Sequence, residues 1–449
     1  MINVKDYGAI GDGVVDDTIA IRTALLAALG GTLYIPQGVY LVKELSAPEV
    51  FLITKSIRII GDGANIDGTW IKIDSTTPNT VDFFHIKPTQ ASSPFIQFHD
   101  LWISNENIDF IGGRDAIAIE TDATTQVQRL DITNCWISAG AGYAISGKDT
   151  DVSVSTACYY QSTIEKNVLY GKKGGIHFTQ AGDSITISDN AFPPIGDIGI
   201  FIEPVIGAAH QVIERNGFQG CLKGQIHLRN CNQAKIRDNQ IEQGFGYTGA
   251  TGGMVLLESC QGVEVTGNNM NSFNFVDNVR LAGNSTYNKI SDNTLEVEGG
   301  QSHVIVNSTA GKFNVISPNN RFMVSYVAGA PKLIINSPKA QKGVLVQMAL
   351  TGGWVGSGAD HDGLFYIVNE DNSVAIHGNI RNGTNVAGTV IATLPPECAP
   401  KKISYITVWC TNNTNGILTV LTNGQIIISG TVLPQTSAVK LMNAQFQLT

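Results

Sequence analysis

The chain has 449 residues, of which 43% are apolar, only 15% are charged and 48 are glycine, and its formal charge is −9. That composition supplies a large core for strands and turns rather than for a helical protein. The acidic balance argues against a nucleic-acid partner, and no run of about eighteen apolar residues exists to span a membrane.

Met1-Ile2-Asn3-Val4-Lys5-Asp6 lacks the basic-then-apolar plan of a secretory leader. Next come Val4-Lys5-Asp6-Tyr7-Gly8-Ala9, Gly11-Asp12-Gly13 and Asp16-Asp17-Thr18. Asp16 or Asp17 is placed to cap a helix over Thr18 to Leu29, which Gly30-Gly31 stops before a strand at Thr32-Leu33-Tyr34-Ile35-Pro36. Asp12, Asp16 and Asp17 read as cap and turn residues rather than metal ligands. Gly38-Val39-Tyr40-Leu41-Val42 and Ser56-Ile57-Arg58-Ile59-Ile60-Gly61-Asp62-Gly63 follow.

This ordered set resembles the opening of the pectate-lyase-like superfamily, in the version found on bacteriophage tailspikes. The resemblance implies an all-β chain, a right-handed single-stranded parallel β-helix whose open end is covered by the N-terminal capping helix.

An internal repeat supports the same architecture. The pattern aliphatic-x-x-Asn-x-apolar recurs at Ile164…Asn167, Ile187…Asn190, Ile213…Asn216, Ile236…Asn239, Val265…Asn268, Ile290…Asn293 and Ile316…Asn319. Its asparagines are 23, 26, 23, 29, 25 and 26 residues apart. Phe98…Leu101 and Ile132…Cys135 fit with the Asn replaced. Asn tolerates left-handed backbone and can hydrogen-bond along a stack, so it suits a sharp corner. A second run precedes each Asn, as in Ile176-His177-Phe178, Ile200-Phe201-Ile202, Ile226-His227-Leu228, Val255-Leu256-Leu257 and Val279-Arg280-Leu281. Each repeat therefore supplies three short strands, one coil. Cys231 and Cys260 each precede their Asn by eight residues, which stacks them inside. With Cys135, Cys158, Cys221, Cys398 and Cys410 they form no Cys-x-x-Cys pair and read as reduced, buried thiols made in a cytoplasm.

After about residue 323 the Asn period ends, and alternating segments such as Leu364-Phe365-Tyr366-Ile367-Val368 predict a C-terminal antiparallel β-sandwich. The expected division is an N-terminal cap (1–45), the β-helix (46–325) with glycan binding and catalysis, and the sandwich (326–449). The last segment looks like the small end domains of phage fibres and spikes, which implies trimerisation or carbohydrate binding.

Outward residues of a stacked helix form columns with rungs about 4.8 Å apart. His177, Phe201, His227, Leu256 and Arg280 share one column, and Glu203, Arg229 and Glu258 occupy three consecutive rungs of the next. Two rungs, roughly 9–10 Å, approach the carboxyl separation of inverting glycosidases. Loops at 138–163, 193–199 and 242–252 carry Tyr143, Asp149, Asp151, Tyr159, Tyr160, Asp197, Phe245 and Tyr247, an aromatic and acidic set suited to a sugar groove. The expected catalytic pair is Glu203 as base, ionised beside Arg229, and Glu258 as acid with a raised pKa. His177, His227, Arg229, Arg280, Tyr159, Tyr160 and Tyr247 are expected to bind substrate. The Glu-Arg-Glu order is also what charge neutralisation on adjacent rungs would place there. A second column, Asp189, Arg215, Asp238 and Asp292, lies on tighter turns and reads as structural.

These features point to a tailspike depolymerase that cleaves a bacterial surface polysaccharide by endo-hydrolysis, without metal or cofactor. Its expected form is a homotrimer in a virion tail, joined to other tail or baseplate proteins and acting at the host surface. The alternatives are a polysaccharide lyase using His177, His227, Arg229 and Arg280, a non-catalytic receptor-binding fibre, and a teichoic-acid-degrading appendage.

Overall fold

The computed structural model describes residues 1–447 except 90–93, 106–111, 123, 150–159, 180–181, 195, 205–207, 243–252, 273–276, 298–303, 307–313, 318–319, 325–333, 336–344, 357–362, 370–372, 385, 411–414 and 430–438. Among the described residues, each coil gives one short strand to each of three parallel sheets, of twelve, twelve and eleven strands. Parallel pairing runs from Ile2–Asn3 against Thr32–Tyr34 to Val304–Val306 against Ile334–Ile335. The chain is a parallel β-helix.

Alternation of side chains sends every second residue of a strand inward. In the first sheet Ile132, Ile164, Ile187, Ile213, Ile236, Val265 and Ile290 stack in register, all fully buried. At the N-terminal end the helix Thr18–Ala28 lays Ile21, Ala24, Leu25 and Ala28 over that core. Asp16 holds the helix start, its Oδ1 accepting from Thr18 N at 3.0 Å. The Asp17 carboxylate does something else: it accepts from Ile10 N at 2.7 Å and Gly11 N at 3.0 Å, tying the opening loop to the helix.

The corner asparagines form a buried ladder. Asn216 Oδ1 accepts from both N and Nδ2 of Asn190 at 3.0 Å. Its own Nδ2 donates to Ile187 O at 2.9 Å and to Asn239 Oδ1 at 3.0 Å. The same pattern links Asn167, Asn190, Asn216, Asn239, Asn268, Asn293 and Asn320, with Cys135 N donating to Asn167 Oδ1 at 2.8 Å.

Two sequence expectations about this corner are corrected. The left-handed backbone belongs to the residue before each Asn, with φ of 54° to 58° at Lys166, Asp189, Arg215, Asp238 and Asp292. The Asn itself points inward, because the buried peptide groups of the corner need its amide more than the turn does. The final rung is Asn320, 27 residues after Asn293; Asn319 lies outside the described residues. The Asp189-Arg215-Asp238-Asp292 column is thus the outer edge of the corner, with Arg215 forked onto Asp189 at 3.0 and 2.9 Å. A second buried ladder, Val263 N to Asn288 and Asn288 to Asn314, lines the turn between the third and first sheets.

Pairing of Asn232 with Gln261 sets Cys231 and Cys260 on neighbouring rungs, both fully buried. Their thiols bond to carbonyl oxygens of the third-sheet strands, Cys231 to Arg229 O at 3.4 Å and Cys260 to Leu228 O at 3.3 Å. Cys135, Cys221 and Cys398 are also free and buried, while Cys158 lies outside the described residues.

From Leu345–Met348 onward pairing is antiparallel. Among the described residues nine strands join in one hydrogen-bonded sheet around a second core that includes Trp354, Leu364, Ile376, Leu418 and Ile426. Among the described residues no helix is long and apolar enough to cross a membrane.

Replacing Asn216 by Leu strands buried groups on both neighbouring rungs, at about 1–3 kcal/mol for each unsatisfied group. The urea midpoint of Asn216→Leu should fall well below that of the wild type, and an unchanged midpoint would show that the ladder does not carry stability.

Candidate active site on the third sheet

Register in the third sheet builds the site. His177, Phe201, His227, Leu256 and Arg280 occupy one outward column. Arg229, Glu258 and Ala282 occupy the next, and Glu203 follows Ile202, which pairs with Leu228. The sequence-predicted ladder is therefore present as a connected group. Arg229 Nη1 reaches Glu203 Oε2 at 2.5 Å, and Arg229 Nε reaches Glu258 Oε2 at 2.9 Å. His177 Nε2 lies 2.8 Å from Glu203 Oε1, and His227 Nε2 lies 3.2 Å from Glu258 Oε2. Each carboxylate is held between an imidazole and the shared guanidinium.

Beneath these charges runs an aromatic column. Ring centroids are 4.7 Å apart for Tyr143 and His177, 5.0 Å for His177 and Phe201, and 4.4 Å for Phe201 and His227. The Arg229 guanidinium sits 5.5 Å from the Phe201 ring centre, a cation–π contact. A cavity of about 210 Å³ opens beside the column, lined by Lys223, His227, Arg229, Gly253, Leu256 and Glu258.

Burial pushes the His227 pKa down from 6.5, and the Arg229 charge adds to that, outweighing the Glu258 hydrogen bond. Burial also acts to raise the Glu258 pKa, but the Arg229 hydrogen bond and charge, with help from His227, hold it below 4.5. The expectation of Glu258 as a raised-pKa acid is therefore corrected: its Arg229 contact decides, and Glu258 is a carboxylate at neutral pH. Burial pushes the Tyr143 phenol up to about 12.

Tyr143 owes its place to Asp115, which the sequence reading did not single out. Asp115 is buried and accepts from Tyr143 N at 2.7 Å and the Ser146 hydroxyl at 2.8 Å. Gly142 is required beside it, since a Cβ there would lie 1.9 Å from Asp115 Oδ1. A second missed group lies nearer the cap. His85 lies 3.4 Å from Glu49 and 3.1 Å from Glu120, which Lys87 meets at 2.7 Å. His85 and Ala118 continue the His177 column, and Ile117–Thr121 follows Asp82–Ile86 in register. Extending the two outward columns toward the N-terminus in the sequence would have found it.

The remaining expected residues fare differently. Arg280 stands beyond Leu256 and pairs with Asp277 at 2.7 Å. Asp197 pairs with Lys223 at 2.6 Å. Tyr160 is not brought to this cavity; it lines a separate pocket with Gln126, Gln128, Gln161, Asp183 and Ser184. Tyr159, Tyr247, Asp151 and Phe245 lie outside the described residues, as does the Asp149 side chain.

Residues 1–255 match the family described as rhamnogalacturonase A/epimerase, pectate lyase-like. The chain belongs to this family. Mannuronan C5-epimerase AlgE1 of Azotobacter vinelandii is 36% identical over 124 residues, 27% of this chain and 8% of that protein. Across the curated relatives the matched part spans 6% to 21% of the relative's length. Among solved structures, DFA-IIIase of Arthrobacter chlorophenolicus A6 without its lid is 14% identical with a TM-score of 0.50, covering 73% of this chain and 99% of that one. ORF18 of Geobacillus virus E2 is 16% identical with a TM-score of 0.49, covering 99% of this chain and 76% of that one. The likeness to DFA-IIIase is one of fold.

Because the family member's fold keeps the His227 imidazole neutral, protons load onto the unfolded chain first as pH falls below 6.5. His227 thus opposes folding progressively below that pH, and His227→Gln should flatten the fall of Tm on acidification. A histidine-detected NMR titration should place its midpoint below 6.5; a midpoint above it would overturn the electrostatic account.

Proposed function

We propose that the chain is a tailspike depolymerase that binds a bacterial surface polysaccharide along the third sheet and cleaves it internally by hydrolysis. The observation that carries this reading is the Glu203–Arg229–Glu258 ladder with its two imidazoles, set over an aromatic column beside a cavity. Membership of a family described by a rhamnogalacturonase and an epimerase supports a glycan as substrate. The N-terminal motif order supports the tailspike context, with assembly on other tail or baseplate proteins and action at the host surface.

Hydrolysis needs one group to activate water and one to protonate the leaving oxygen. Glu258, held as a carboxylate by Arg229, takes a proton from water as that water attacks the anomeric carbon. As the glycosidic C–O bond breaks, proton delivery to the leaving oxygen is assigned to the His177–Glu203 pair, whose Nε2 and Oε1 lie 2.8 Å apart. Roles are thereby exchanged relative to the sequence expectation, with the acid at the Glu203 end. Arg229 orients both carboxylates, and aromatic edges offer apolar surface to a sugar ring.

One observation favours a second reading, β-elimination. The depressed His227 is a neutral base beside Arg229, and such a pair suits proton abstraction next to a uronic carboxylate. Products decide between them. Purified chain incubated with capsular, O-antigen and exopolysaccharide preparations should release reducing ends without new ultraviolet absorbance. An absorbing unsaturated end would mean a lyase, and binding without cleavage a receptor-binding fibre. Glu258→Gln should lower turnover by about 10²–10⁴-fold. Its stability should change by less than about 1 kcal/mol, since the side chain is 35% exposed.

We further propose a parallel homotrimer in which the C-terminal unit, expected over 326–449 and antiparallel from Leu345–Met348 onward, supplies contact surface. Tyr405 and Ile417, exposed at 73% and 40%, lie on neighbouring strands there. Large apolar groups left in solvent on a sheet face are what a subunit contact would cover. Light scattering should return three times the chain mass, and a monomer at micromolar concentration would remove this part of the proposal.

A further inference from the structure

Tyr160 opens a second reading of the surface. Three successive coils converge on a pocket of about 460 Å³: Gln126 and Gln128 from one, Tyr160 and Gln161 from the next, Asp183 and Ser184 from the third. It sits on the turns that lead into the first sheet, away from the cavity at His227 and Glu258. The backbone builds it deliberately. Tyr160 N donates to Val127 O, and Gln161 N donates to Asp183 O. Gln161 and Ser184 are both left-handed, with φ of 47° and 63°. The same left-handed turn recurs at His210 and Gln233 in the next coils, with φ of 58° and 54°, so the periodic corner of the helix orders these side chains.

The chemistry of the lining is narrow. Three primary amides and a hydroxyl each offer both donor and acceptor, and a phenol adds an aromatic surface. The lining carries one ionisable carboxylate, Asp183, and it is engaged by His210 Nδ1 at 2.7 Å. Among the described residues no cation lines the pocket to neutralise an anionic group, and no second carboxyl lines it for acid–base work. The volume lies within the range of ligand sites and fits roughly a disaccharide.

We propose that this pocket is a non-catalytic binding site for a neutral pyranose, stacked on Tyr160 and hydrogen-bonded by Gln126, Gln128, Gln161 and Ser184. It deepens the polysaccharide reading of the third sheet, on which it rests: the enzyme holds its polymer at a second point one corner away from the cleaved bond. Two weak attachments on one body bind a polymer more tightly than either alone, because the second engages at high effective concentration. Neutral sugar units would then anchor the chain while the ionic ladder meets the bond to be cut.

The test uses the full chain soaked separately with glucose, galactose, rhamnose, N-acetylglucosamine and glucuronate, read by crystallography and by saturation-transfer NMR. At least one neutral sugar should occupy the Tyr160 pocket, and glucuronate should not. Tyr160→Ala and, as a milder variant on an exposed side chain, Gln128→Ala should weaken that binding about tenfold while leaving the melting curve in place. Sugar found only over Glu203, Arg229 and Glu258 would overturn the pocket and leave the proposed function standing. Sugar at neither place would overturn both. Glucuronate in the pocket, or undiminished binding by both variants, would overturn the neutral-stacking assignment.

Discussion

A coil that closes within two or three dozen residues must turn sharply while its peptide groups face a dry interior, and those groups have to be bonded. The asparagine amide is a short group that offers two donors and an acceptor at once. Stacked at the same corner of successive coils, it bonds the rung before and the rung after. The ladder therefore fixes the relative height and rotation of neighbouring coils. Everything on the outer face inherits that registration. Glu203, Arg229 and Glu258 come from segments separated by 26 and 29 residues, yet meet at hydrogen-bond distance because the corners behind them are locked together.

On that frame the site concentrates charge at little structural risk. A single guanidinium serves two carboxylates, and its planar fork stacks over Phe201 while doing so. The imidazoles close the outer side of each carboxylate, and their rings continue the aromatic column. The arrangement leaves His227 and Glu258 partly covered and partnered, and both are held toward their proton-free forms, one neutral and one charged. His227 is driven toward neutrality by burial and by the same Arg229 that keeps Glu258 ionised.

The sequence made the fold legible because burial repeats. Asn spacing set the register, and the register alone aligned His177 with His227 and Glu203 with Glu258. Properties that depend on summed environment stayed hidden. Local preference suggested that Asn would take the left-handed turn, but the need to bond buried peptides draws it inside and gives the turn to Lys166, Asp189 or Arg215. The protonation of Glu258 depends on which Arg229 nitrogen reaches it, against the opposing push of burial. Tyr160 was grouped with the groove because it borders a long loop, and loop position says little about which side of a corner a residue faces. Asp115 was invisible for a related reason: its partners lie 28 and 31 residues away and one turn higher.

The uneven spacing of the ladder has an evolutionary side. Successive rungs are separated by anything from 23 to 29 residues, although the stacked strands and corners between them are nearly constant. The surplus is absorbed in the outer turns, so residues can be inserted there without disturbing the interior. A lineage could then exchange its surface recognition one coil at a time, as interchangeable cassettes on a common spindle. Were the proposed surface-glycan target to change, adaptability of that kind would need no new fold, only longer or shorter turns.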